Sequence, residues 1–274
     1  MSTKYVFLDI DGTLVGADGR VPDSTMKAII QARKNGHKMF ICSGRCRCEM
    51  HENILCVPLD GIVGSAGAYV EIDGKVVFHR AMTEEMNVRL LDYFLTRGMA
   101  ILLETNRELY GNDVAIRYMQ ENADYCEANG LPYDKLLYDL VQPLADVREP
   151  AKLAVNKLIY ITKKYDPEEV RRDLGKEFTV VDSAIDMPGN SGEVSEIGMH
   201  KGVGIETAIR YYGADMADTI GIGDGENDMG MLRACAVGIA MGNANPILKE
   251  IADYETSAVD EDGIKNAFMH YGLI

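Results

Sequence analysis

The sequence lacks any long apolar run. No segment approaches the ~20 consecutive apolar residues that a membrane-spanning helix needs, and the apolar stretch near the N-terminus is too short for a signal peptide and is interrupted by Asp9. We therefore expect a cytoplasmic protein with no membrane partner. Since 47% of the 274 residues are apolar, the chain can still bury a large core, and its length favours two domains.

Positive charge is also scarce. The chain has 28 lysines and arginines against 43 aspartates and glutamates, for a formal net charge of -15. A nucleic-acid binder normally needs a basic face to displace counterions from phosphates, so we expect no nucleic-acid partner. The excess of carboxylates suits a protein that binds divalent cations, although solubility alone would also explain it.

Cysteines are too few for a disulfide scaffold. The chain has six, and a reducing cytosol would keep them as thiols. Four of them, Cys42, Cys46, Cys48 and Cys56, lie close together, but their spacing does not match the paired C-x2-4-C units of common zinc sites. Free thiols are therefore the expectation.

The first 45 residues predict one β-α-β unit. A short apolar run over residues 4–10 and another over 37–42 predict buried parallel strands, and the segment 22–36 between them has helical spacing and a terminal glycine. The pattern returns near the C-terminus, where a helix over 200–212 precedes a strand over 218–222. Ligands bind beyond the carboxyl ends of such strands.

The middle of the chain has a different character. Residues 83–187 alternate helical and strand patterns, and we read them as an inserted α+β domain. The predicted helices of this segment cover residues 84–96, 113–129 and 167–175. Its predicted strands cover residues 100–104, 153–162 and 178–182. A hairpin at Asp73-Gly74 precedes the insertion.

Two acidic turns follow predicted strands. Asp9 and Asp11 stand two apart at the end of the first strand, and Gly12 allows a turn that exposes main-chain N–H groups to an anion. An ordinary Asx turn is the alternative. A calcium loop of the EF-hand type is excluded, because Thr13, Leu14 and other positions depart from its pattern.

The second acidic turn contains Asp224 and Asp228 after the strand over 218–222. A solvated turn is again the alternative. Two acidic turns that face each other across one sheet would however repel unless a cation neutralised them, and oxygen ligands favour Mg²⁺. Lys201 indicates little by itself.

These segments together resemble a known family. Asp9–Thr13, Ser43–Arg45, Lys201–Gly202 and Gly223–Asp228 are similar, in this order, to the four motifs of the haloacid dehalogenase superfamily. The run over 233–244 resembles the Cof-type (class IIB) phosphatases. The resemblance implies an α/β fold: a doubly wound, mostly parallel Rossmann-like core of residues 1–82 and 188–274, and an inserted α+β cap of residues 83–187 that sets substrate specificity.

The resemblance also implies a role for each motif residue. Asp9 is the nucleophile that attacks phosphorus, and Asp11 is the acid that protonates the leaving group and then the base that activates water. Residues implied to bind the phosphate or substrate are Ser43, Gly44, Arg45, Lys201 and Asn227. Residues implied to bind Mg²⁺ are Asp9, Asp11 through its carbonyl, Asp224 and Asp228, the last either directly or through water.

The function implied is a Mg²⁺-dependent phosphomonoester hydrolase that forms an aspartyl-phosphate and acts on sugar phosphates or similar small phosphorylated metabolites. A phosphomutase is one alternative, and a phosphate-ligand sensor without turnover is another. A nucleotide-dependent dehydrogenase is disfavoured, because no G-x-G-x-x-G follows the first strand. The sequence does not indicate an oligomeric state.

Overall fold

The computed structural model describes residues 2–131, 135–182 and 190–274. The chain divides into two compact units. The first comprises Met1–Arg45, Met50–His79 and His200–Ile274, and the second comprises Cys46–Glu49 and Arg80–Met199. The domain bounds given above stay a prediction, and their junction at 187–188 lies outside the described residues.

Strands in the described ranges belong to one of two sheets. They are β1 (Tyr5–Leu8), β2 (Lys38–Cys42), β3 (Gly61–Gly64), β4 (Tyr69–Ile72), β5 (Lys75–His79), β6 (Ala100–Glu104), β7 (Leu109–Gly111), β8 (Val141–Pro143), β9 (Lys157–Thr162), β10 (Phe178–Asp182), β11 (Asn190–Glu196), β12 (Thr219–Gly223), β13 (Val237–Ala240) and β14 (Tyr254–Glu255).

The α-helices connect these strands. They are α1 (Asp23–Lys34), α2 (Glu52–Leu55), α3 (Glu84–Thr96), α4 (Asp113–Asn129), α5 (Lys135–Leu140), α6 (Pro167–Leu174), α7 (Lys201–Tyr212), α8 (Met229–Ala234), α9 (Pro246–Ile251) and α10 (Gly263–His270). Within the described ranges, no helix combines the length and the apolar character needed to cross a membrane.

The first unit contains an eight-stranded sheet in the order β14-β13-β12-β1-β2-β3-β4-β5. The strands from β14 to β3 pair in parallel, and β4 and β5 add an antiparallel hairpin. The three apolar residues Val6, Phe7 and Leu8 of β1 are fully buried, as expected for a parallel strand covered on both faces. The α/β fold class and its parallel core are therefore confirmed.

The chain leaves the centre of this sheet in two directions. The crossover through α1 leads from β1 to β2 on one side, and the crossover through α8 leads from β12 to β13 on the other. Because such crossovers are right-handed, opposite directions put α1 and α8 on opposite faces. The switch point lies between β1 and β12, where open α/β sheets leave a crevice for ligands.

The second unit contains a six-stranded sheet in the order β10-β11-β9-β6-β7-β8, antiparallel except for the β7–β8 pair. The predicted helices over 84–96 and 113–129 are confirmed. The predicted strand over 153–162 is wrong at its start, since β9 begins at Lys157. Residues Pro150–Lys152 form a 3-10 turn, and the N–H of Leu153 donates to the carbonyl of Pro150, which keeps this backbone out of the sheet.

All six cysteines are free thiols, as predicted. The first turn of α7 approaches the sheet of the first unit unusually closely. A Cβ added to Gly204 would lie 2.3 Å from Cγ1 of Val63 in β3 and 3.0 Å from Cα of Gly67. A glycine at this position therefore lets the start of α7, including Lys201, lie against β3.

We predict opposite effects of alanine at two helical glycines. Gly204→Ala should lower the free energy of unfolding by about 1–3 kcal/mol, because the new methyl group overlaps Val63. Gly230→Ala in α8 is the matched control, since its nearest neighbour would be His200 at an ordinary 3.6 Å, and it should be neutral or stabilise by up to ~1 kcal/mol. Urea unfolding of both variants measures this, and equal effects would contradict the close approach of α7.

Candidate active site

Two carboxylates lie side by side at the switch point of the first sheet. Asp9 follows β1 and Asp224 follows β12, and the neighbouring pairing of these parallel strands brings their carboxyl ends together. The N–H of Asp9 donates to the carbonyl of Ile222 at 3.0 Å, so the hydrogen bonding between the two strands extends to Asp9 itself. The predicted convergence of the two acidic turns is thus present in the structure.

A buried lysine joins these turns. Lys201, the first residue of α7, is 2% exposed. Its ammonium Nζ donates to Oδ1 of Asp9 at 2.6 Å and also to Oδ1 of Asp228. Sequence spacing indicated little about this lysine, whereas the structure places it between two of the predicted site residues.

Asp228 is held on both sides of its carboxylate. Its Oδ1 contacts Lys201, and its Oδ2 accepts hydrogen bonds from the N–H groups of Asp224 and Gly225, each at 3.0 Å. The side chain is completely buried. Because both oxygens already have donors, Asp228 is best suited to fix the acidic turn and the lysine.

Three carboxylates could hold a cation. Asp9, Asp224 and Asp228 each offer one oxygen, and these oxygens lie within 4.8 Å of one another. The hydroxyl of Thr13 donates to Oδ1 of Asp224 at 3.0 Å and orients it. At Gly12, where φ is +76°, an added Cβ would stand 2.2 Å from Oδ2 of Asp224, so only glycine leaves room for this carboxylate.

The charges of this cluster are strongly perturbed. Burial, and then the negative charge of Asp228, raise the pKa of Asp9 to about 7 despite the opposing effect of Lys201. Burial raises the pKa of Asp224 to about 6, against the hydrogen bond from Thr13. Burial alone would lower the pKa of Lys201, but Asp228 and Asp9 outweigh it and raise that pKa.

This pattern fits a divalent cation. Three carboxylates face one ammonium, and an added cation would relieve both the burial cost and the mutual repulsion of the carboxylates. Its ligands would be oxygens only, which is the chemistry that Mg²⁺ prefers.

Asp11 lies apart from these three carboxylates. Its side chain is 58% exposed and forms a bidentate ion pair with Arg45, in which Nε donates to Oδ2 at 2.9 Å and Nη2 to Oδ1 at 2.8 Å. The structure therefore brings two predicted residues together in a pair that the sequence did not indicate. The pairing places Arg45 at the turn that also carries Asp9.

The loop after β2 supplies polar groups next to the acidic turns. Ser43 is buried, and its Oγ accepts a hydrogen bond from the N–H of Arg45 at 3.2 Å. The amide nitrogen Nδ2 of Asn227 lies 3.8 Å from the position that a Cβ would take on Gly44. Asn227 thus lies next to the loop that carries Ser43 and Gly44, and the role of these three residues in phosphate binding stays a prediction.

Two positioning residues were not identified from the sequence. The side chain of Asn243 donates from Nδ2 to the carbonyl of Gly12 at 2.8 Å and accepts through Oδ1 from the N–H of Val259 at 3.0 Å, which ties the turn after β1 to the C-terminal segment. Thr13, described above, is the second. Both residues lie in polar turns that follow strands, and this position in the sequence could have indicated a role at the site.

Comparison with known proteins identifies the family. The sequence matches the haloacid dehalogenase-like hydrolases over residues 6–268. The chain belongs to this family. The resemblance drawn from the four motifs is therefore confirmed, as is the prediction of an enzyme of the phosphatase type.

Several relatives match this chain along their whole lengths. YkrA of Bacillus subtilis (strain 168) is named as a phosphatase and is 29% identical, with 100% of both chains covered. A 5-amino-6-(5-phospho-D-ribitylamino)uracil phosphatase of the same organism, YitU, is 25% identical over 99% of each chain. The solved structure of the subclass IIB sugar phosphatase BT4131 has a TM-score of 0.79 and 27% identity, and covers 99% of this chain and 100% of its own.

The raised pKa of Asp9 predicts how stability depends on pH. In an unfolded chain Asp9 ionises near 3.8, whereas the folded protein holds its proton up to about 7. The folded state therefore binds more protons between these values, so without metal the stability should fall as the pH rises from 5 to 8, by on the order of 2 kcal/mol.

Urea unfolding of chelator-treated protein at pH 5 and pH 8 measures this fall. Asp9→Asn removes one of the two groups with a raised pKa and should weaken the dependence to the part that Asp224 contributes, whereas the exposed control Asp92→Asn should keep it in full. Added Mg²⁺ should restore the wild-type stability at pH 8. An unchanged pH dependence in Asp9→Asn would show that Asp9 is not the group that titrates.

Proposed function

We propose that this protein is a Mg²⁺-dependent phosphomonoester hydrolase that forms an aspartyl-phosphate on Asp9. One observation carries the proposal: the Asp9 carboxylate is buried at the switch point, and the ammonium of Lys201 holds one of its oxygens at 2.6 Å. Oδ1 is thereby fixed, and Oδ2 is the oxygen proposed to attack. A carboxylate fixed in this way is oriented before substrate arrives.

Asp9 and Asp224 would hold the Mg²⁺ ion through their carboxylates, with the carbonyl of Asp11 as a further ligand. Asp228 would support the site without contacting the ion directly, because its oxygens already accept hydrogen bonds from Lys201 and the turn. When bound, the ion would neutralise the charge repulsion between an anionic nucleophile and a phosphate dianion.

In the proposed first step, a bond forms between Oδ2 of Asp9 and phosphorus while the bond from phosphorus to the ester oxygen breaks. The charge of the phosphoryl oxygens would be held by Lys201, the Ser43 hydroxyl, the Gly44 N–H and the Asn227 amide. In the second step, water attacks the aspartyl-phosphate, phosphate leaves and the Asp9 carboxylate is restored.

Asp11 would supply the proton for the leaving alkoxide and then take a proton from the attacking water. Its carboxylate is paired with Arg45 at 2.8–2.9 Å. A phosphate dianion is an alternative partner for the guanidinium, which binds phosphate and carboxylate in the same bidentate way. We propose that substrate binding draws Arg45 to the phosphate and frees the Asp11 carboxylate to take up a proton from solvent, which it then gives to the leaving alkoxide.

For the substrate, we propose a small phosphorylated metabolite in which the phosphate ester sits on a polyhydroxylated carbon chain. Two relatives support this class, because one is named for a phosphoribitylamino compound and the other as a sugar phosphatase. A phosphomutase would use the same aspartyl-phosphate but pass the group to a second hydroxyl. The cytoplasmic location stays a prediction.

The decisive test is release of inorganic phosphate. With Mg²⁺, a screen over sugar phosphates, sugar-alcohol phosphates and nucleotides should give turnover, highest for the first two groups. Chelation should abolish it. Asp9→Asn should lose at least ~10³-fold in kcat, because its amide cannot form the acyl-phosphate. Turnover within tenfold of wild type in this variant would contradict the nucleophile, and phosphoryl transfer without phosphate release would indicate the mutase.

The leaving group distinguishes the role of Asp11. Asp11→Asn should slow an alkyl phosphate by about 10²–10⁴-fold, because its alkoxide needs a proton to leave. The loss for p-nitrophenyl phosphate should be smaller in single-turnover phosphorylation of Asp9, since nitrophenolate leaves without a proton. Asp18→Asn, exposed in the loop after β1, is the control and should match wild type. Equal losses on both esters would contradict the acid role.

A further inference from the structure

The second unit contains a buried cluster of sulfur and carboxylate groups that the proposed hydrolase mechanism does not use. Cys46, Glu49 and Glu104 are 0%, 7% and 1% exposed, respectively. Each offers one possible ligand atom, and these atoms lie within 4.8 Å of one another. A second thiol is adjacent, since Sγ of Cys48 lies 3.3 Å from Sγ of Cys46.

One carboxylate oxygen in this cluster is buried without a hydrogen bond. Oε2 of Glu104 accepts none from any described residue. Nζ of Lys157 forms an ion pair with this oxygen at 3.4 Å and donates a hydrogen bond at 3.0 Å to Oε2 of Glu193. A buried oxygen left in this state is costly and unusual in native proteins, so it points to a ligand at this position.

We propose that Cys46, Cys48, Glu49 and Glu104 form a binding site for Zn²⁺. Two sulfur and two carboxylate ligands would complete a tetrahedral set, which is the coordination that zinc adopts in structural sites. Sulfur ligands select zinc over Mg²⁺ and Ca²⁺, both of which prefer oxygen alone. The site is therefore chemically distinct from the oxygen-only cluster around Asp9.

The distances in the cluster are close to those of such a site. Two thiolates on one zinc stand about 3.8 Å apart, given a Zn–S distance of about 2.3 Å and a tetrahedral angle. The observed 3.3 Å between Cys46 and Cys48 needs only a small adjustment. On Glu49, Oε2 accepts a hydrogen bond from the N–H of Cys46 at 2.6 Å, which leaves the carboxylate turned toward the cysteine loop.

A disulfide bond between Cys46 and Cys48 is the alternative to a metal site. The sulfur separation of 3.3 Å is well above the ~2.05 Å of an S–S bond, and both cysteines are free. Disulfide formation would also leave Glu104 Oε2 without a hydrogen bond from any described residue. This oxygen therefore favours the metal.

The test uses fully reduced protein carrying Asp224→Asn, so that zinc cannot bind at the first carboxylate cluster. Calorimetric titration with Zn²⁺ should give one site per chain. Adding Cys46→Ser or Glu104→Gln should weaken that site at least tenfold. Cys126→Ser removes a buried cysteine of α4 in the same unit and should leave it unchanged.

Cobalt gives a second readout that needs no substitution in the site. Co²⁺ added to the reduced Asp224→Asn protein should produce a thiolate-to-cobalt charge-transfer absorption in the near ultraviolet, and Zn²⁺ should displace it. Far-UV circular dichroism identifies any variant that does not fold, in which case the cobalt spectrum decides. Absence of the thiolate band, or zinc affinity unchanged by Cys46→Ser and Glu104→Gln, would overturn the proposal.

Discussion

The buried ammonium of Lys201 is the interaction on which the candidate site depends. It lies between Asp9 and Asp228, and an unpaired carboxylate at that depth would either take up a proton or destabilise the fold. Lys201 thus keeps the Asp9 carboxylate at a buried position where its pKa would otherwise be still higher. The single positive charge of Lys201 does not balance the negative charges of the three carboxylates Asp9, Asp224 and Asp228. The remaining negative charge makes a divalent cation a fitting ligand.

The topology of the first sheet explains why these groups meet. β1 and β12 are neighbours although 210 or more residues separate them, and each ends in a turn that carries a carboxylate. Side-chain hydrogen bonds then fix the turns: Thr13 holds Asp224, and Asn243 holds the carbonyl of Gly12. The strands position the carboxylates, and the turns leave backbone N–H groups that could bind an anion such as the proposed phosphate.

Both proposed cation sites contain buried carboxylates whose negative charge must be neutralised, but the neighbouring groups differ. In the first unit, buried carboxylates share one lysine and would bind a hard cation through oxygen alone. In the second, Lys157 forms an ion pair with Glu104, whose Oε2 accepts no hydrogen bond from a described residue, and the thiol of Cys46 belongs to the same cluster. The nature of the neighbouring ligands, oxygen or sulfur, would select a different metal at each site.

The sequence by itself determined the strand-end motifs, and through their order it determined the family and the α/β class. These features are local, because a short apolar run followed by a polar turn depends only on residues adjacent in the chain. Tertiary structure alone decided which side chains pair. Lys201 meets Asp9 across 192 residues and Arg45 meets Asp11 across 34. Glu104 lies near Cys46, one of the cysteines whose spacing does not predict a metal site. Such pairings follow from strand order and from burial, which set both the distance between two groups and the cost of leaving either one without a partner.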